Sequence, residues 1–162
     1  MDTDDRQHGR ALGAVLLGCA VLATSVWFVW LSPGAAARRA LDDARDVWEA
    51  HEPTAYSFVY SKCLGMCLEC PQLITVRDGV VTDAAAWGQE GCGQPDVHHA
   101  PTIEDVFAVA EERRPGLLPE DITTTIRYDR DWGFPVSIHL ECPDGYLDCG
   151  GGWSVSRFTS LG

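Results

Sequence analysis

The longest apolar stretch of the chain lies near its N-terminus. Residues 11–31 carry no charged side chain, and a helix of about 20 such residues crosses the hydrocarbon core of a bilayer. Trp27, Phe28 and Trp30 lie at the C-terminal end of this stretch, and aromatic rings favour the headgroup level of a membrane. The predicted segments are a cytoplasmic N-terminus (1–10), a transmembrane helix (11–31), a linker (32–36) and a folded domain (37–162).

Two amphipathic helices are predicted within the folded domain. The first runs from Ala37 to Ala50, where apolar residues recur at helical spacing between charged ones. The second begins after Thr102, whose hydroxyl can accept a hydrogen bond from a free amide of the first turn, and Asp105 lies three residues further on. The apolar face of this second helix is predicted to consist of Ile103, Val106, Phe107 and Ala110.

Alternating apolar and polar residues predict the strands of the domain. An aromatic strand is indicated from Tyr56 to Tyr60, and Asp78-Gly79 predicts a tight hairpin because both central residues of a type I′ turn need positive φ. Further alternation is found after the second helix, between residues 122 and 158. We predict an α+β fold with the element order α-β-β-α-β-β-β, in which both helices cover one face of an antiparallel sheet.

The net charge of the chain limits the classes of partner that we expect it to bind. The chain carries 24 Asp and Glu against 12 Lys and Arg, for a formal net charge of −12. Nucleic acid is not an expected partner, because phosphate binding needs clustered cations that release counterions. Serine-hydrolase, phosphate-loop and dinucleotide motifs are also missing from the sequence. We therefore expect a domain that is not an enzyme and that needs no cofactor.

Cysteine usage indicates the compartment of the domain. An even number of cysteines follows the apolar stretch, which is typical of disulfide-bonded proteins in an oxidising environment. The disulfide candidates are Cys63, Cys67, Cys70, Cys92, Cys142 and Cys149. The predicted pairs are Cys142–Cys149, Cys63–Cys70 and Cys67–Cys92. The domain is therefore expected outside the cytoplasm, with the N-terminus inside.

The cysteine cluster at residues 63–70 leaves two other chemistries open. Cys67 and Cys70 form a CxxC, the arrangement in which thioredoxin-like enzymes lower a thiol pKa. Zinc is the second possibility, with Cys63, Cys67 and Cys70 joined by Cys92 or His98. Neither pattern is complete, because no βαβ unit surrounds the CxxC and only one cysteine knuckle is present. We favour structural disulfides and expect no metal.

Cys19 lies inside the apolar stretch and allows a second kind of anchor. Leu16-Leu17-Gly18-Cys19 resembles the lipobox of bacterial lipoproteins, in which the cysteine is lipidated after cleavage. A lipoprotein continues into a polar tether after that cysteine, whereas this chain stays apolar as far as Leu31. We therefore favour an uncleaved transmembrane helix in which Cys19 packs as a small apolar residue.

Several segments together resemble the bacterial domain of unknown function 6174. The resemblance is carried by Ala40–Trp48, by the hairpin Val76–Val80, by the helix start Thr102–Phe107 and by Tyr128-Asp129-Arg130-Asp131-Trp132-Gly133-Phe134-Pro135. It extends from residue 37 to residue 160. The resemblance implies a secreted or lipid-anchored envelope protein with no assigned activity, and it supplies no functional residues.

One exposed turn is a speculative binding surface. Trp132 lies in a predicted turn close to Tyr128 and Asp129, and loops held by a rigid scaffold often carry binding residues. The hypothesis for the whole chain is a single-pass cell-membrane protein whose extracytoplasmic domain binds an envelope protein or peptide. The alternative is a thiol-redox or metal-binding domain that uses the cluster of Cys63, Cys67 and Cys70.

Overall fold

The computed structural model describes residues 33–51, 53–64, 69–88, 91–119, 121–143 and 150–162. These residues form two α-helices, a short 3-10 helix and six strands. The elements are α1 (Pro33–His51), β1 (Ala55–Leu64), β2 (Gln72–Arg77), β3 (Val80–Ala86), the 3-10 helix (Val97–His99), α2 (Ile103–Glu112), β4 (Thr123–Tyr128), β5 (Pro135–Glu141) and β6 (Gly151–Ser160).

The six strands form one antiparallel sheet in the order β3-β2-β1-β6-β5-β4. Strands β1 to β3 run from the centre of the sheet to one edge, and strands β4 to β6 run from the opposite edge back to the centre. The two three-stranded units meet where β1 pairs with β6, and each of these two strands is 10 residues long. Strands β3 and β4 are therefore the edges.

Both helices pack against the same face of the sheet. Phe58 pairs with Ile74 and Tyr56 pairs with Val76, so these four side chains share one face. All four are buried in a single hydrophobic core together with residues of both helices. The helical members are Leu41, Ala44, Trp48, Ile103, Val106, Phe107 and Ala110. The predicted apolar face of the second helix is thus confirmed.

Two local predictions are also confirmed. Asp78 and Gly79 both have positive φ, at 49° and 73°, as a tight hairpin turn requires. The hydroxyl of Thr102 accepts a hydrogen bond from the amide of Asp105 at 3.2 Å. The Asp105 carboxylate in turn accepts one from the amide of Thr102 at 2.8 Å, so a complete capping box begins α2.

The predicted fold class is wrong in its element order. Three strands precede α2, which gives α-β-β-β-α-β-β-β instead of α-β-β-α-β-β-β. The strand undercounted is in the hairpin: β3 continues from Val80 to Ala86, although its alanines have weak β-propensity, because pairing with β2 holds the backbone extended. The first helix also begins at Pro33 instead of Ala37.

The membrane-helix part of the predicted fold is not upheld either. None of the helices that the structure describes is both long and apolar enough to cross a membrane, and charged side chains recur along α1 from Arg38 to Glu49. The predicted span at residues 11–31, together with Cys19, lies outside the described residues.

The capping box gives a direct test of how α2 is held. Replacing Thr102 by Ala removes the hydroxyl that satisfies a free amide of the first turn, and we expect a loss of about 1 kcal/mol in the free energy of unfolding. Urea unfolding followed by circular dichroism measures this loss. Thr102→Ser keeps a hydroxyl and should retain most of the stability. Equal unfolding midpoints for the Ala and Ser variants would contradict the contribution of the cap.

Candidate functional site

The turn proposed as a binding surface is organised by Asp129. Its Oδ1 accepts hydrogen bonds from the backbone amides of Asp131 and Trp132, each at 2.9 Å. Its own amide donates to the carbonyl of Phe134 at 2.8 Å, and its carbonyl accepts from the amide of Gly133 at 3.1 Å. An aspartate that closes a turn in this way satisfies its own carboxylate locally. Asp129 therefore has a structural role.

Gly133 lets the same turn pack against α1. Its φ is +83°, and a Cβ atom built on it would collide with the carbonyl oxygen of Ala44. The backbone of Trp48 and the side chain of Val47 are also in contact range. Only glycine combines this positive φ with so close an approach of turn to helix.

The aromatic residues of the turn are engaged in packing. The ring of Trp132 lies 4.9 Å from the ring of Phe158 and 4.5 Å from that of His51. Tyr128 is half-buried, and burial raises the pKa of its hydroxyl to about 12. The structure thus brings Tyr128, Asp129 and Trp132 into one turn, and their use in binding stays a prediction.

The cysteines show a pairing that differs from the prediction. Cys70 is bonded to Cys92, with their Cα atoms 6.0 Å apart, so the predicted pairs Cys63–Cys70 and Cys67–Cys92 are wrong. Cys63 and Cys142 each take part in a disulfide, and Cys67 and Cys149 lie outside the described residues. Cys70 and Cys92 flank the open end of the β2–β3 hairpin, where Gln72 pairs with Ala86. The hairpin therefore brings them together.

The Cys70–Cys92 disulfide and the surrounding side chains can be compared with the two other chemistries considered for the cysteine cluster, thiol-redox catalysis and zinc binding. The partner of Cys70 lies 22 residues away in sequence, so Cys70 does not form a CxxC disulfide with Cys67. In the part of the chain that the structure describes, no group of three or more His, Cys, Asp or Glu side chains is arranged to hold a metal ion. His98, the other zinc candidate, is exposed, and its backbone amide donates to Asp96 at 2.9 Å.

A cleft of about 550 Å³ lies between α1 and α2. Its walls combine aromatic, acidic and basic side chains. The lining residues are Arg45, Trp48, Glu49, Pro53, Glu104 and Phe107. No local sequence pattern marks this cleft, because its two halves are brought together only by the packing of both helices on the sheet.

The carboxylate of Glu104 accepts two side-chain hydrogen bonds in the cleft. Its Oε1 accepts a hydrogen bond from the indole Nε1 of Trp48, and its Oε2 accepts one from the hydroxyl of Tyr56, both at 3.1 Å. The Tyr56 hydroxyl also accepts from the amide of Ile103 at 3.3 Å. Burial raises the pKa of Tyr56 well above its usual value, so the hydroxyl stays protonated and donates. Two neutral donors therefore hold the Glu104 carboxylate in one orientation.

Arg45 is the basic side chain of the cleft lining, and its charge is engaged by neighbouring side chains. Its guanidinium lies 5.5 Å from the centre of the Phe107 ring, within the range of a cation–π interaction. It also forms an ion pair with Glu111 at 3.6 Å, which offsets its charge. The carboxylates of Glu49 and Glu104 therefore leave the cleft with an excess of negative charge.

Comparisons with known proteins identify the family of this chain, and the description of that family names no activity. Residues 40–160 match the model of a family described as "Family of unknown function (DUF6174)". The family resemblance inferred from the sequence is thus confirmed. No curated protein and no solved structure matches the chain.

Gly133 gives a test of how the turn docks on α1. We expect Gly133→Ala to lower the free energy of unfolding by about 3 kcal/mol, because the new methyl group adds both positive-φ strain and a collision with the helix backbone. Gly79→Ala is the matched control, since Gly79 also has positive φ, at 73°, but has nothing within 4 Å of the added atom. Its cost should be about 1 kcal/mol. Equal losses in urea unfolding would rule out the close approach.

Proposed function

We propose that this chain, which belongs to the family of unknown function DUF6174, is an extracytoplasmic, non-catalytic binding domain that recognises a protein or peptide partner. Its cleft between α1 and α2 receives a Lys or Arg side chain of that partner. The observation that carries the proposal is the Glu104 carboxylate, held by Trp48 and Tyr56 beside an aromatic wall.

The chemistry of the cleft suits a cationic side chain. A carboxylate forms short, charge-assisted hydrogen bonds with an ammonium or guanidinium group. Glu104 is already oriented by its two donors, so a ligand does not have to order this side chain on binding. Each of its oxygens also keeps a lone pair for the incoming cation.

The charge of the chain supports a basic partner. A net charge of −12 attracts cationic molecules over the range of the Debye length and raises their rate of association. Glu49 lies in the same cleft and adds a second carboxylate. The one basic residue of the lining, Arg45, is paired with Glu111 and therefore opposes the ligand less than a free guanidinium.

The disulfides support a location outside the cytoplasm. Cys70 is bonded to Cys92, and Cys63 and Cys142 each take part in a disulfide. Cytosolic thiol pools keep most cysteines reduced, so several disulfides in one small domain are typical of an oxidising compartment. Cys70, one member of the CxxC, is held in the disulfide with Cys92, which favours a structural role for this cysteine over redox catalysis.

Titration with short basic peptides tests the proposal. Acetyl-Lys-Lys-amide and acetyl-Arg-Arg-amide are added to the purified full chain, and the indole N–H resonance of Trp48 is followed by NMR, because this group donates to Glu104. We expect both peptides to shift the resonance in a saturable way. The uncharged acetyl-norleucyl-norleucine amide should leave it in place.

Charge removal at Glu104 localises the binding. Glu104→Gln keeps a hydrogen-bond acceptor for Trp48 and removes the charge, and we expect it to weaken peptide binding by about 10-fold or more. Glu112→Gln is the matched control, since it removes a carboxylate from the exposed side of the same helix, and its affinity should stay close to that of the parent chain. Equal weakening by both variants, or no movement of the Trp48 resonance with either basic peptide, would contradict the proposal.

A further inference from the structure

The two edges of the sheet are protected unequally. An edge strand presents unpaired backbone N–H and C=O groups to which another strand can pair. At the β3 edge, the side chain of Gln94 donates a hydrogen bond to the carbonyl of Ala84 at 2.9 Å, and the 3-10 helix Val97–His99 packs against the strand. The Cys70–Cys92 disulfide ties this covering loop to the start of β2.

Among the residues that the structure describes, the β4 edge has no comparable cover. Strand β4 pairs with β5 on one side, and no other described segment hydrogen-bonds to the residues Thr123–Tyr128. Its sequence, Thr-Thr-Thr-Ile-Arg-Tyr, is rich in β-branched residues that favour extended backbone. It contains no proline, a residue that commonly prevents an edge from pairing, and its one register irregularity lies at its C-terminal end, between Arg127 and Tyr128. The strand is thus ready to accept a further strand.

We propose that β4 pairs in antiparallel fashion with β4 of a second copy of this chain, with Thr125 on the twofold axis. Thr123 then faces the partner's Arg127, and Thr124 faces the partner's Ile126. This register keeps Thr124 and Ile126 of both copies on the core face, because paired residues differ by an even number of positions. The sheet continues from one copy into the other, and both helical layers lie on the same side.

Charge complementarity selects this register and this partner. Thr123 lies opposite Glu141 of β5 in its own copy, so the partner's Arg127 and Glu141 flank the short Thr123 side chain on the same face. Adjacent strands are about 4.8 Å apart, and an extended arginine and glutamate can meet across two such spacings. Within its own copy, Arg127 lies opposite Ser137 and forms no ion pair with the described residues. The twofold axis makes the Arg127–Glu141 contact twice.

Pairing with a second copy also accounts for where assembly stops. A twofold antiparallel pairing is self-complementary and consumes the β4 edge of both copies. The edges that remain are the two β3 strands, which the Gln94 loop covers. The interaction lies on the sheet edge, and the acidic cleft lies between the helices, so either proposal can fail without the other.

Charge reversal tests the register through solution mass. The full chain is measured by light scattering across a concentration series at about 0.15 M salt, where long-range repulsion is largely screened. We expect the parent chain to form dimers. Arg127→Glu and Glu141→Arg should each raise the dissociation constant of the dimer by about 10-fold or more, because each substitution places two like charges together at both contacts. Both residues are exposed, so neither change should unfold the domain.

Mixing the two charge variants separates this interface from any other mode of association. Arg127→Glu and Glu141→Arg chains carry opposite charges at both contacts when they meet each other, so the mixture should form a heterodimer. The double variant with both substitutions should form a homodimer again. Association of both single variants as tight as that of the parent chain, or a parent chain that stays monomeric throughout, would overturn the proposal.

A cysteine introduced at the twofold axis tests the proposed strand register independently of charge. Thr125→Cys places two thiols opposite each other at a separation that a disulfide can span, and mild oxidation should yield a covalent dimer on a non-reducing gel. Thr123→Cys is the control, since it faces Arg127 and should not crosslink. Crosslinking at Thr123 but not at Thr125 would contradict the register. If the parent chain stays monomeric and binds an added extended peptide at β4, the β4 edge pairs with another protein and not with a second copy.

Discussion

The pairing of β1 with β6 is the interaction on which the rest of the domain depends. It joins the start of the domain to its end, from Tyr56 opposite Ser160 to Leu64 opposite Gly151, and it is the only link between the two three-stranded units in the described sheet. Closing so long a loop costs conformational entropy before any contact repays it. The compensating free energy comes from the shared core, to which both helices and both halves of the sheet contribute buried side chains.

Trp48 connects this core to the cleft. Its ring packs edge-on against Tyr56 of β1, Phe134 of the turn and Phe158 of β6, at centroid distances of 5.4, 6.2 and 5.8 Å. The same indole donates to Glu104 of α2. The orientation of the cleft carboxylate is therefore set by side chains that are locked by core packing, and a site held in this way keeps its geometry without a ligand.

Local signals were sufficient for part of this structure. The capping box at Thr102, the apolar face of α2 and the Asp78-Gly79 turn each depend on residues within a few positions of one another, and the sequence predicts all three. The cleft depends on Trp48 meeting Glu104, which is 56 positions away, so no local pattern marks it. The disulfide pairing failed for the same reason, because the β2–β3 hairpin, and not sequence proximity, brings Cys70 to Cys92. The predicted element order was one strand short because it counted the two strands that flank Asp78-Gly79 as one.

The position of the disulfide indicates what it stabilises. Cys70 and Cys92 are only half-buried and neither belongs to the hydrophobic core, so the bond adds nothing to the packing of helices on sheet. It holds the loop that carries Gln94 against the β3 edge. A disulfide stabilises mainly by restricting the unfolded chain, and more so when the loop that it closes is longer. Here the closed loop, which spans a sequence separation of 22, also carries the segment that covers the β3 edge. In the part of the chain that the structure describes, the disulfide therefore helps to cover the β3 edge, whereas the outer side of β4 is left unpaired.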